Sequence, residues 1–299
     1  MQLPLQLNSF EKMEHTLKVA VVGSGTMGNG IAQAFAMQGH SVALADISKD
    51  GLDRALSTVK KSLERFVAKE KMTAKEAEAI GDRIHPICND LGAAVADVDI
   101  AIEAVFERED VKKEVFSVLG EQAPSEALLA TNTSSISVTS IASAASGPER
   151  VIGMHFMNPV PLMKLVELVR GERTSDATVE RAREIAEGIG KTVGVAEDYA
   201  GFVSNRILMP MLNEAAFALH EGVATREDID TIMKLGMNHP MGPLTLSDFI
   251  GLDVIVDILD YLLKQTGDPK FRACPMLRRM VQAGKLGRKS GEGFYDYSE

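Results

Sequence analysis

Three glycines in one short turn form the first pattern in this sequence that could support chemistry. The turn Gly23-Ser24-Gly25-Thr26-Met27-Gly28 follows the apolar run Lys18 to Val22. In a G-x-G-x-x-G fingerprint, the first glycine permits a tight turn, the second lets backbone approach a pyrophosphate, and the third permits close helix packing. Backbone N–H groups at the start of the next helix then stabilise the anion. The residues expected around a dinucleotide pyrophosphate are Gly23, Gly25, Thr26, Met27 and Gly28.

An acidic residue follows this turn at a spacing typical of dinucleotide sites. Asp46 lies 18 positions after Gly28, close to the separation of about 20 that the fingerprint requires. A carboxylate there accepts hydrogen bonds from ribose hydroxyls and repels a 2′-phosphate, which favours NAD over NADP. Lys49 could compensate for part of that repulsion. The alternative is that Asp46 only caps a turn.

A histidine and a glutamate on two adjacent apolar stretches form a second candidate site. His155 ends one stretch. Glu167 shares a face with Leu165 and Val169 in the next. A carboxylate on an apolar face is costly to bury unless it is paired, and an imidazole is a suitable partner. In contact, the two would form a base and the acid that orients it. The spacing alone favours a hydrogen-bonded core histidine over a catalytic one.

Alternating strand and helix patterns position these residues. Apolar, β-branched runs predict strands, and the residues between Gly28 and Gly39 have helical spacing. The predicted strands are Lys18–Val22, Ser41–Ala45, Val98–Ala104, Leu128–Thr131, Val151–His155, Met163–Val169 and Thr192–Glu197. With helices such as Glu109–Leu119 between them, they predict a Rossmann-type α/β domain, doubly wound around a mostly parallel sheet.

After Glu197 the pattern changes to amphipathic helices. The predicted helices are Phe202–Leu219, kinked at Pro210, then Arg226–Leu235 after an N-cap at Thr225, and Leu244–Lys264. We therefore expect a boundary within Asp198–Gly201. The expected division is an N-terminal extension at residues 1–16, a nucleotide-binding domain at 17–199 and an all-helical domain at 200–299.

Composition and charge exclude several classes of protein. The chain has 299 residues, of which 45% are hydrophobic and 25% charged, as expected for a globular protein of two domains. A net charge of −10 gives no global support for binding nucleic acid or an anionic membrane. Cys88 and Cys274 have neither disulfide nor metal-site spacing, so we expect no metal and a reduced, cytoplasmic setting. No apolar run reaches the roughly 18 residues that a membrane span needs.

Several separate segments resemble the 3-hydroxyacyl-CoA dehydrogenase family. The resemblance runs from about Leu17 to the C-terminus and is closest to the bacterial 3-hydroxybutyryl-CoA dehydrogenases. The matching segments are Val19–Asp46, Ala101–Phe116, Thr131–Ile136, Gly153–Val169, Gly201–Glu214, Asn238–Pro243 and Leu286–Tyr297. The resemblance implies a helical C-terminal domain for dimerisation, with substrate bound between two domains.

The resemblance also assigns roles to individual residues. It implies that His155 is the catalytic base and Glu167 its partner. It further implies that Ser134 contacts the 3-oxygen of the substrate and that Asn205 belongs to the substrate site. The positions matching cofactor contacts are Glu107, Lys112 and Asn132, and those matching CoA contacts more loosely are Ser62 and Lys69. For Lys69, a solvated helix face is an equal alternative.

Together, residues and resemblance predict an NAD-dependent dehydrogenase that interconverts a short-chain 3-hydroxyacyl-CoA, in particular (S)-3-hydroxybutyryl-CoA, and the 3-oxoacyl-CoA. Two alternatives remain open: a dehydrogenase of a free hydroxyacid, and a non-catalytic dinucleotide-binding protein. A homodimer is also expected, because apolar residues wrap most of the last long helix. Those residues are Val254, Ile255, Ile258, Leu259, Leu262 and Leu263.

Overall fold

A single sheet of eight strands dominates the first part of the chain in the computed structural model. The strands are β1 Lys18–Val22, β2 Ser41–Asp46, β3 Ile84–Cys88, β4 Ile100–Glu103, β5 Leu128–Thr131, β6 Val151–Phe156, β7 Leu165–Arg170 and β8 Thr192–Glu197. Their order is β3-β2-β1-β4-β5-β6-β7-β8, and all neighbours pair in parallel except β6 and β7. The strand order reverses between β1 and β4, and open α/β sheets bind ligands beyond the carboxyl ends of the strands at such a point.

Helices pack on this sheet and are the main elements of the second part of the chain. Those of the first part are α1 Thr26–Met37, α2 Lys49–Ala68, α3 Ala74–Gly81, α4 Leu91–Val95, α5 Glu109–Gln122, α6 Val138–Ala142 and α7 Asp176–Gly188. Those of the second part are α8 Ser204–His220, α9 Arg226–Gly236, α10 Pro243–Ile250, α11 Leu252–Thr266 and α12 Pro275–Gln282. The predicted fold class, a mostly parallel Rossmann-type sheet followed by a helical domain, is confirmed.

The structure describes residues 16–298, and the chain divides into two compact units after Asp198. The predicted N-terminal extension lies outside the described residues apart from Thr16. Each unit has its own apolar core. In the sheet unit, Val21, Ile31 and Phe35 are buried between β1 and α1; in the helical unit, Leu212 and Leu259 are buried between α8 and α11. Within the described residues, no helix is long and apolar enough to cross a membrane.

Several predicted elements differ from the structure. The predicted helix Leu244–Lys264 is wrong, because Gly251 has a φ of 106° and separates α10 from α11. That left-handed conformation suits glycine and ends a helix. The helix predicted to start at Phe202 starts at Ser204, since Phe202 has a φ of 49°. Strand β3, at one edge of the sheet, was not predicted.

Candidate active site

The glycine turn joins β1 to α1 at the strand-order reversal. Gly23 has a φ of 103°, and a Cβ there would lie 2.6 Å from the carbonyl oxygen of Ala104. A Cβ on Gly28 would lie 1.7 Å from the carbonyl oxygen of Gly23, so only glycine fits. At Gly25 a Cβ would meet nothing within 4 Å. The α1 N-terminus has no side-chain cap and no acidic residue in its first turn. The turn therefore presents open space and N–H groups to a phosphate, as a dinucleotide site requires.

Asp46, at the end of β2, is hydrogen-bonded to this turn. Its Oδ2 accepts hydrogen bonds from the backbone N–H of Ser24 at 2.8 Å and from the Ser24 hydroxyl at 2.6 Å. Its Oδ1 accepts from the Ser48 N–H at 2.9 Å. Burial alone would raise the pKa of Asp46, but these hydrogen bonds outweigh it and hold the pKa below its ordinary value. The carboxylate thus stays ionised beside the turn, and Ser24, which we did not predict, orients it.

A buried ion pair lies beneath the end of β4. The Nζ of Lys112 is 2.6 Å from Glu103 Oε1 and 3.3 Å from Glu107 Oε2, and Lys112 and Glu103 are almost completely buried. Glu103 also accepts from the Thr131 hydroxyl at 2.7 Å and from the Val105 N–H at 2.7 Å. Burial raises the pKa of Glu103. Glu103 was not predicted, although a glutamate within an apolar strand is the same signal that identified Glu167.

Glu107 accepts several hydrogen bonds from the loop that follows β5. Its Oε1 accepts from the Thr133 hydroxyl at 2.6 Å and the Ser134 N–H at 2.8 Å, and the Ser134 and Ser135 hydroxyls lie farther away, at 3.2 Å. Burial raises the pKa of Glu107, but the neighbouring Lys112 and these donors outweigh it and lower the pKa. Because one oxygen cannot accept this many good hydrogen bonds, the two long hydroxyl contacts are the weakest.

His155 on β6 and Glu167 on β7 form a pair that we call the dyad. The two residues are directly opposite in the antiparallel register. Nδ1 of His155 lies 3.0 Å from Oε2 of Glu167, and both residues are buried. Asn132, in the loop after β5, accepts from the N–H of Phe156 at 3.0 Å and so links that loop to the strand of His155. The contact expected from the sequence is present, and the catalytic role of the dyad stays a prediction.

The remaining predicted residues lie on other elements. Ser62 is half-buried on α2, and Lys69 is exposed as the C-cap of that helix. Their spacing of seven residues places both on one side of the helix. Lys49 pairs with Asp53 at 2.8 Å. Asn205 lies in the first turn of α8 in the helical unit, where it is buried, and its backbone N–H donates to Gly201 at 3.0 Å.

Comparison with known proteins agrees with this geometry. Residues 18–199 match the model of the 3-hydroxyacyl-CoA dehydrogenase NAD-binding domain, and residues 201–297 match that of the C-terminal domain. The chain belongs to the 3-hydroxyacyl-CoA dehydrogenase family. The resemblance expected from the sequence is confirmed.

Individual members of the 3-hydroxyacyl-CoA dehydrogenase family are similar over nearly their whole length. A probable 3-hydroxybutyryl-CoA dehydrogenase of Deinococcus radiodurans is 52% identical, with 94% of this chain and all of that protein aligned. The 3-hydroxybutyryl-CoA dehydrogenase of Bradyrhizobium diazoefficiens is 48% identical over 94% of this chain and 95% of that protein. The crystal structure of (S)-3-hydroxybutyryl-CoA dehydrogenase from Ralstonia eutropha has a TM-score of 0.89 and 44% identity, covering 95% of this chain and 100% of that chain.

Proposed function

We propose that this chain interconverts (S)-3-hydroxybutyryl-CoA and acetoacetyl-CoA, with NAD as the hydride carrier. The observation that carries the proposal is the dyad, an imidazole hydrogen-bonded to a buried carboxylate, in a domain whose glycine turn fits a dinucleotide. Relatives that share about half of the residues of this chain are named for this reaction.

The fit to NAD rests on the glycine turn and Asp46. The pyrophosphate would lie against Gly25 and the N–H groups that begin α1, where a Cβ would fill open space. The ribose hydroxyls would donate to Asp46, which keeps its charge because its pKa is lowered. Glu107, Lys112 and Asn132 are proposed to complete the cofactor site. When bound, the nicotinamide ring accepts the hydride from C3 of the substrate or returns it.

The dyad moves the proton. Glu167 accepts the hydrogen of Nδ1, which leaves the lone pair of the His155 ring on Nε2. Nε2 then takes the proton of the 3-hydroxyl as C3 is oxidised, and the carboxylate of Glu167 stabilises the imidazolium that forms. In the direction of reduction, the imidazolium gives the proton back to the 3-oxygen.

Ser134 and Asn205 are proposed to position the substrate. The hydroxyl of Ser134 is proposed to donate to the 3-oxygen, while its backbone N–H donates to Glu107 at 2.8 Å and keeps the loop in place. Asn205 would hold the thioester end. Ser62 and Lys69 are proposed to contact the CoA moiety.

The setting and assembly of the enzyme are proposals of the same kind. We propose that it acts in the cytoplasm as a homodimer. The helical unit is proposed to serve for substrate binding and dimerisation. Exposed apolar side chains in that unit support the proposed dimer.

An absorbance assay tests the activity directly. Oxidation of NADH is followed with acetoacetyl-CoA and, in parallel, with free acetoacetate at the same concentration. Turnover confined to acetoacetyl-CoA is expected. Faster turnover of the free acid would point to a hydroxyacid dehydrogenase. NADH binding without turnover of either compound would point to a non-catalytic dinucleotide-binding protein.

A further inference from the structure

A buried lysine contacts the hairpin that carries the dyad. Residues 157–164 connect β6 to β7. Lys191 lies directly before β8 and is 5% exposed. Its Nζ donates to the carbonyl oxygens of Val160 at 2.6 Å and Met163 at 2.8 Å. Both acceptors belong to the connection, so one side chain holds it at two points.

The surroundings of Lys191 make its buried ammonium unfavourable in free energy. Within residues 16–298 the ammonium forms no ion pair with a carboxylate, and it donates to the two carbonyl oxygens. Burying an unpaired cation costs free energy, and burial lowers the pKa of Lys191 accordingly. A surface loop that needed only to be closed would not require a buried charge.

Two further contacts also hold the connection. A Cβ on Gly30 of α1 would lie 3.1 Å from the side chain of Val160, so helix and loop approach closely there. Val160 is 1% exposed. The N–H of Thr192, next to Lys191, donates to the carbonyl oxygen of Lys164 at 2.6 Å. The loop therefore sits between the cofactor helix α1 and the start of β8.

We propose that Lys191 is a positioning residue for the dyad: its ammonium fixes the β6–β7 connection and so keeps Glu167 opposite His155. The proposal builds on the proposed function. A residue that acts in this way changes turnover without contacting the reacting atoms, because a displacement of about 1 Å can cost about 100-fold in rate.

Lys191→Met is the decisive variant, since it keeps an unbranched side chain, shorter by one atom, and removes the charge and the donors. We expect kcat to fall by about 10- to 100-fold, with the KM values for NADH and acetoacetyl-CoA nearly unchanged. Nitrogen NMR of the His155 imidazole should show that the Nδ1 hydrogen bond to Glu167 is weakened. Lys75→Met, an exposed lysine on α3, serves as the matched control and should behave as the wild type.

The outcomes separate positioning from simple stabilisation. A folded Lys191→Met protein with a lower Tm but unchanged kcat and unchanged imidazole signals would overturn the proposal. Lys191→Arg, which keeps the charge and the donors, should restore most of the lost kcat. Failure of this restoration, with the fold intact, would also count against the proposal.

Two further measurements keep the proposal testable. Should Lys191→Met not fold, Lys191→Gln is measured in the same way. Its shorter amide cannot reach both carbonyls, so a smaller loss of the same kind is expected, and wild-type values would refute the proposal. The imidazole signals do not depend on which substrate is turned over. They therefore test Lys191 even if the wild type fails to reduce acetoacetyl-CoA.

Discussion

His155 and Glu167 lie side by side, yet they should respond differently to substitution. His155→Gln removes the proposed base, so kcat should fall by about three orders of magnitude, within the 10²- to 10⁴-fold range typical of general-base catalysis. The fold and NADH binding should survive. Steady-state kinetics and fluorescence titration with NADH check this. Turnover close to that of the wild type would assign His155 a structural role.

Glu167→Gln tests the other half of the dyad. The amide oxygen can still accept the Nδ1 hydrogen, but it carries no charge to stabilise the imidazolium. We expect a smaller loss of kcat than for His155→Gln. For oxidation of (S)-3-hydroxybutyryl-CoA, in which the neutral ring accepts the proton, the acidic limb of the kcat–pH profile should move to lower pH because the protonated ring has lost its counter-charge. Glu172→Gln, at an exposed position after β7, is the control. An unmoved profile would argue against the dyad.

We predict that Asp46 governs the choice of cofactor. A 2′-phosphate would meet the ionised carboxylate, so NADH should be preferred over NADPH by about tenfold or more in kcat/KM, or about 1.4 kcal/mol. Asp46→Ser should reduce this preference mainly by weakening NADH. Both cofactors are compared in the wild type, in Asp46→Ser and in the control Asp50→Ser. Equal use of NADPH by the wild type would contradict the assignment.

At the scale of elements, Asp248 of α10 anchors the end of the chain. It is 1% exposed and accepts from the N–H groups of Phe294 and Tyr295 and from the hydroxyl of Tyr297. Asp248→Asn replaces one acceptor oxygen by a donor, which should cost about 1–3 kcal/mol of unfolding free energy. Urea denaturation measures this, with exposed Asp257→Asn as control. An unchanged midpoint would show that this contact does not anchor the tail.

The same substitution should change the pH dependence of stability. Burial raises the pKa of Asp248 above its ordinary value of 3.8, against the opposing hydrogen bonds. The folded state therefore holds the proton more tightly than the unfolded chain. The contribution of this group to stability falls as pH rises from the ordinary pKa to the raised one, and is constant above it. In Asp248→Asn this component of the decline should disappear from denaturation curves measured across the acidic range.

The elements that the sequence predicted well are those whose pattern depends on local burial. Strands β1 and β5 were predicted to the residue because apolar, β-branched runs are typical of buried strands. Strand β8 was also predicted to the residue, although it is largely exposed at an edge of the sheet, because Thr192, Val193 and Val195 keep a β-branched pattern. Strand β3 was missed, since Pro86 and a largely exposed, edge position remove that signal. Gly251 is a residue type that often ends a helix. The break between α10 and α11 was nevertheless missed, because the sequence is amphipathic on both sides of this glycine.

In the candidate site too, some features could be predicted from the sequence and others could not. The glycine turn and Asp46 could be predicted because their spacing is fixed by the ligand. The contact of His155 with Glu167 could be argued from the cost of burying a carboxylate on an apolar face. The hydrogen bonds from Ser24 to Asp46, and those of Glu103, depend on strands that are distant in sequence. No local sequence pattern predicts these hydrogen bonds.

At the scale of the whole molecule, the expected dimer needs a different physical basis from the one the sequence suggested. Ile255, Leu259 and Leu262 of α11 are buried in the core of their own unit. The exposed apolar side chains of the helical unit include Ile232 and Leu235 on α9, which are 57% and 80% exposed. These two residues lie three apart and so share a helix face that another subunit could cover.

Light scattering at micromolar concentration tests the assembly. The wild type should have the mass of a dimer, and Leu235→Asp should shift it towards the monomer, because a buried charge would disrupt an apolar interface. Lys234→Asp, the adjacent exposed position, is the control for the added charge. A monomeric wild type would refute the homodimer, and a dimeric Leu235→Asp would place the interface elsewhere.

The cross-strand placement of the dyad limits which insertions and deletions the gene can accept. A one-residue change in strand pairing between β6 and β7 would turn Glu167 to the opposite face of the sheet. A two-residue change would keep the face but set Leu165 or Val169 opposite His155. Length variation among relatives should therefore be absent from the paired residues 153–156 and 166–169 unless a compensating bulge restores the pairing. Loops of the sheet unit that lie outside these two strands can change in length without shifting this pairing.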